Sequence, residues 1–108
     1  DSINASGLAD GEYIFAKNDI IKENKSVKIK KDGTLAGSII TMDQTFKNLI
    51  QMNFSIEEAV QMTSYNASRY LKLSNIGLLN SGYDSNFLVL DKEYNIIDIY
   101  LEGNKINE

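Results

Sequence analysis

Asp32-Gly33-Thr34-Leu35-Ala36-Gly37-Ser38-Ile39-Ile40-Thr41-Met42-Asp43 is the stretch on which the reading of this chain turns. Asp32-Gly33 opens it as a turn. Gly37 lacks a Cβ, so a ligand can come close to the main chain there. A tight turn packed under the following helix is the alternative reading of the same residues. Thr41, with Gln44 three positions on, forms a capping box, in which each side chain satisfies a backbone N–H left unpaired at a helix start. The stretch therefore separates β texture before it from helical texture after it.

Before it, Gly11 to Lys31 carries Tyr13 and Phe15, then Ile20 and Ile21, then Val27 and Ile29. Asn18-Asp19 and Glu23-Asn24-Lys25 supply turn residues between these groups, which predicts two or three short antiparallel strands. Lys28, Lys30 and Lys31 alternate with apolar residues and fall on the solvent side of such a strand. The first ten residues are small and polar and read as a loop.

After it, Met42, Phe46, Leu49 and Ile50 fall at i, i+4, i+7 and i+8, one apolar stripe of a helix. Ser55 and Glu58 repeat the capping box for a second helix, with Ile56, Ala59 and Val60 inward. Asn66 can cap a third, carrying Tyr70, Leu71 and Leu73. From Gly77 the texture returns to β. Phe87-Leu88-Val89-Leu90 is continuously apolar, the mark of a strand covered on both faces. Ile96 to Leu101 is the next strand, and Glu102-Gly103-Asn104-Lys105 is a hairpin turn into Ile106. Three strands with no covering layer would leave the apolar run wet. Either the helices cover it, giving a compact α+β domain, or the cover belongs to another stretch of polypeptide.

Composition narrows the chemistry. The chain has 108 residues, 43% hydrophobic and 24% charged, with a net charge of −4. That is globular and mildly acidic, against a nucleic-acid partner, which demands a clustered basic surface. No apolar run approaches the roughly 20 residues of a membrane helix, and no secretory leader is legible, so a cytoplasmic setting is expected. Histidine and cysteine are both absent. A Ser-His-Asp triad, a Cys-His pair and an ordinary structural zinc site are thereby excluded from this stretch. No carboxylate spacing matches a calcium loop, and no Walker pattern is present.

Residues 32–42 resemble the N-acetylglucosamine-6-phosphate deacetylases of the amidohydrolase superfamily, which carry DGTLAGS, two apolar positions and then Thr-Met opening a helix. The likeness continues through Lys47-Asn48-Leu49 and Ser55-Ile56-Glu57-Glu58-Ala59-Val60. Gly82-Tyr83-Asp84-Ser85-Asn86, with Phe87 to Asp91, resembles the closing signature of many amidohydrolases, and Leu101 to Ile106 resembles their last hairpin. Two positions depart: Ala67 stands where the family often has proline, and Asn86 where it often has aspartate.

The resemblance implies the carboxy-terminal portion of such an enzyme: the end of a (β/α)8 barrel plus part of a small β-sandwich, an α/β fold that would look α+β in isolation. Residues 1–76 would complete the barrel, with a β-hairpin insertion at about 11–31 and two to three helices; residues 77–108 would be strands of the sandwich. In the family a Thr-Asp-Ala step ends the last barrel strand and leads to Ala-Gly-Leu-x-x-Gly-x-Tyr. Ala5-Ser6-Gly7-Leu8 and Gly11-Glu12-Tyr13 are similar to that segment, which places Asp1 as the catalytic carboxylate. Leu35, Ala36 and Gly37 would contact substrate through the backbone.

The implied reaction hydrolyses the acetamide of N-acetylglucosamine 6-phosphate to glucosamine 6-phosphate and acetate, with metal-activated water and Asp1 as acid and base. The divalent metal, zinc or iron, would be held by a glutamate and histidines upstream, with no ligand on this chain. The partners implied are the amino-sugar phosphate, the amino-terminal part of the same enzyme and a second copy in a homodimer, with neither nucleic acid nor membrane. The chain alone is expected to be inactive. Two other readings stand beside this one: the corresponding part of a different amidohydrolase, such as a deaminase or cyclic-amide hydrolase, and a non-catalytic α+β binding module.

Overall fold

The computed structural model describes residues 1–106. They form two compact units, the first covering Asp1–Thr41 and the second beginning at Met42.

The first unit is built on a three-stranded antiparallel meander, β1 (Gly11–Phe15), β2 (Asn18–Glu23) and β3 (Ser26–Ile29). Tyr13 lies opposite Ile20, and Lys22 opposite Val27. Period-two alternation therefore gathers Tyr13, Ile20, Lys22 and Val27 on one face. That face holds the core: Ile3, Ala5, Ile20 and Val27 are buried, with Tyr13, Phe15, Ala36 and Ile39 packed around them. Each large side chain so buried contributes about 1.5–3 kcal/mol. Lys28, Lys30 and Lys31 are exposed, as the alternation predicts.

The first turn differs from expectation. Ala16 and Lys17 form the two-residue loop, both in the left-handed region at φ 49° and 67°, and Asn18 already pairs with Phe15. A right-twisted hairpin favours two positive-φ residues at its tip. Here strand register chose which two, overriding the turn preference of Asn18-Asp19. The second turn, Asn24-Lys25, sits where the sequence puts it.

The second unit opens with α1 (Met42–Gln51). The next helix begins at α2 (Ile56–Val60), where the predicted capping box is complete: Glu58 N–H donates to Ser55 Oγ at 3.2 Å and Ser55 N–H to the Glu58 carboxylate at 2.8 Å. Asn66 does not start a separate helix. The chain stays helical from α2 through a π turn at Gln61–Tyr65 into α3 (Asn66–Tyr70), with Asn66 at φ −62° and ψ −39°. A residue of good capping chemistry is simply overrun by a helix already propagating.

Beyond the helices, β4 (Phe87–Leu90), β5 (Ile96–Leu101) and β6 (Asn104–Ile106) form an antiparallel sheet. Phe87 stacks on Tyr100 across the β4–β5 pair at 4.5 Å between ring centres. The β4–β5 loop is tied down by Asp91, whose carboxylate accepts from the N–H groups of Glu93 and Asn95 and from the Asn95 amide. These bonds hold the Asp91 carboxyl below its ordinary range, the Asn95 side chain contributing most. Lys47 of α1 reaches Asn95, and Phe46 meets Tyr94 edge-on at 5.8 Å. Even so, β4 is not covered on both faces: Leu88 is 51% exposed, and Ile56, Val60, Leu71 and Leu101 are exposed too.

Candidate functional site

The Asp32-Gly33 turn is fixed by the Asp32 carboxylate, which accepts from Thr34 N–H at 3.0 Å and is held below its ordinary range chiefly by that bond. It folds the chain back so that Ala36 N–H donates to Val27 O at 2.9 Å. The backbone then leaves β3 and meets the start of the chain. Ser38 N–H donates to Asp1 O at 2.8 Å, and Ile3 N–H donates to Ser38 O at 3.0 Å, a parallel bridge centred on Ser2 and Ser38. Ser6 Oγ adds a bond to Ile39 O at 3.2 Å.

This pairing brings two of the expected site residues together. A Cβ built on Gly37 would lie 3.3 Å from Asp1 O, 3.6 Å from Asp1 Oδ1 and 2.6 Å from Ile3 Cγ2. The Asp1 carboxylate therefore stands directly beside the glycine of the 35–37 segment. Asp1 is exposed and Gly37 half-buried. Leu35 points its side chain into solvent at 70% exposure, whereas Ala36 packs against the core and its N–H is already bonded. An exposed carboxylate beside a stretch of approachable backbone and an apolar side chain can accept and return a proton while a small ligand rests against it.

Three residues that shape this site carried no obvious signal. Ser38 and Ile3 act through a pairing between distant parts of the chain. Lys22 is 8% exposed, and its ammonium donates to Ala5 O at 3.1 Å and to Leu8 O, fastening the loop that follows Asp1. Its inward parity with Ile20 on β2 was the available clue. Among the described residues no group of three or more Asp and Glu side chains is placed to hold a metal ion.

The amidohydrolase family model matches residues 8–107. An N-acetylglucosamine-6-phosphate deacetylase of Lysinibacillus sphaericus is 41% identical over 93 residues, covering 85% of this chain and 24% of that protein. The crystal structure of the Thermotoga maritima N-acetylglucosamine-6-phosphate deacetylase superposes with a TM-score of 0.88 at 31% identity, over 97% of this chain and 29% of that one. The Pasteurella multocida enzyme shares the fold with a TM-score of 0.90 at 20% identity, over 100% and 29%. The chain thus spans between 24% and 29% of the length of these relatives. Taken with the match over nearly all its residues, the chain belongs to the amidohydrolase family.

Proposed function

We propose that this chain is the carboxy-terminal part of an N-acetylglucosamine-6-phosphate deacetylase. In this reading residues 1–76 complete a (β/α)8 barrel and residues 77–108 contribute strands to a small β-sandwich. The observation that carries it is the Asp1 carboxylate lying 3.6 Å from the would-be Cβ of Gly37, within the DGTLAGS stretch. The likeness to deacetylases of that name supports the substrate.

Asp1 takes the proton from the attacking water as it adds to the acetamide carbonyl. It then returns that proton to the departing amine nitrogen, so glucosamine 6-phosphate and acetate leave. Leu35, Ala36 and Gly37 line the substrate side, with the backbone of Gly37 and the side chain of Leu35 as the approachable parts. A divalent metal, when bound by residues outside this chain, supplies an acidified water to that site.

Exposed apolar side chains support a part of a larger protein, Leu88 and Leu101 of the second sheet being 51% and 53% exposed. A free-standing binding module would hide more of its apolar side chains.

The test is acetate release from N-acetylglucosamine 6-phosphate by the full-length protein that carries this chain. Asp1→Asn should lower kcat by about 10²–10⁴-fold. A full-length protein inert on this substrate but active on adenine or a cyclic amide would overturn the reading.

A further inference from the structure

Gly37 has so far been read as a place where substrate meets backbone. The space its missing side chain leaves is already occupied. A Cβ there would sit 2.6 Å from Ile3 Cγ2, a distance real Cβ contacts do not show, and 3.3 Å from the Asp1 carbonyl oxygen. Its φ of +134° is also one that side-chain-bearing residues rarely adopt. The atoms filling the space belong to the segment that bears the acid–base carboxylate. That segment is pinned by the two bonds flanking the glycine's neighbour Ser38, at 2.8 and 3.0 Å.

We infer that Gly37 is a positioning residue for Asp1: the absent side chain sets how closely Asp1-Ser2-Ile3 docks on the 36–38 segment, and so where the carboxylate stands. The inference rests on the reading of Asp1 as proton carrier and adds a separable claim. A carbon at position 37 would push on Ile3 and on the Asp1 main chain together. Ile3 is 5% exposed in the core and has little room to yield. The displacement therefore passes into the Ser2–Ser38 bridge and moves the carboxylate. A residue that only touched substrate would affect binding; one that places the proton carrier affects turnover, where misplacement by about 1 Å can cost on the order of 10²-fold.

The test uses the full-length protein with four variants: Gly37→Ala, Gly37→Ala with Ile3→Ala, Gly33→Ala and Asp1→Asn. Gly33 is the control for backbone strain alone, since it has φ +72° with nothing within 4 Å of its would-be Cβ. The double variant removes the Ile3 collision and leaves only the 3.3 Å approach to the Asp1 carbonyl, which a shift of a few tenths of an ångström relieves. We expect Gly37→Ala to lose kcat by at least about tenfold with KM within about twofold, and the double variant to regain part of that loss. Gly33→Ala should keep both constants, and the acidic limb of the kcat profile should move in Gly37→Ala only.

A rise in KM with kcat preserved would overturn the inference and leave Gly37 as a substrate contact. A double variant with no recovery of kcat would also overturn it, because backbone strain at residue 37, and not docking of the Asp1-Ser2-Ile3 segment, would then account for the loss. An active Asp1→Asn enzyme is the distinct outcome that removes the proton-carrier assignment, and this inference with it.

Discussion

The ammonium of Lys22 donates to the carbonyl of Ala5 at 3.1 Å from a side chain only 8% exposed. A second bond runs to Leu8 O, so one cation on β2 holds two points of the loop between Asp1 and β1. Lys22→Met keeps the stem and removes the donor. It should destabilise the intact protein by about 1.5–3 kcal/mol, the loss of bonds from a charged donor, while Ala5 O keeps only a bond from Leu8 N–H at 3.3 Å. Urea denaturation monitored in the full-length protein reads this directly, and an unchanged midpoint would count against the clamp.

Gly77 makes a second close approach. A Cβ there would lie 2.4 Å from Ser68 Oγ and 3.4 Å from Tyr65 Cα, at φ +93°. Ser68 is buried and its hydroxyl donates to Tyr65 O, so it cannot simply turn away. Gly77→Ala should lower stability by about 1–3 kcal/mol through overpacking. Adding Ser68→Gly should recover part of that loss in thermal melts, the remainder being backbone strain.

The Ala16-Lys17 hairpin tip offers a gain instead. Both residues hold positive φ at a steric cost that asparagine and glycine largely avoid. Replacing the pair with Asn-Gly should stabilise the meander by about 0.5–1 kcal/mol. Calorimetry of the full-length variant should show a higher Tm, and a lower one would place the turn geometry in doubt.

Acid should loosen the β4–β5 loop. Asp91 has its pKa lowered by bonds from Asn95 and Glu93, so the fold favours its ionised form. That contribution is complete above the ordinary carboxylate pKa of about 3.9. It is lost as pH falls below that value and through the lowered folded-state pKa. Protection of the Glu93 and Asn95 amides, measured relative to intrinsic exchange at each pH, should fall across that window in the wild type. In Asp91→Ala the same amides should lack that protection at every pH.

Much of this arrangement was legible from local chemistry. Alternation at Tyr13, Phe15, Ile20 and Val27 marked the meander, and Ser55 with Glu58 marked a helix start that the structure reproduces atom by atom. What local chemistry could not show was competition between elements. Strand register moved the first turn to Ala16-Lys17, and a propagating helix ran through Asn66. At the site, resemblance pointed to Asp1 and Gly37 separately. Their contact comes from a parallel bridge between residues far apart in sequence, for which neither segment carries a periodic signal.

Leu88 and Val89, left facing water in the middle of β4, make that strand adhesive. Any surface presenting a matching oily ridge gains free energy by settling on it. Self-association of this polypeptide is therefore governed in part by that strand, and Leu88→Lys would weaken it by the same physics.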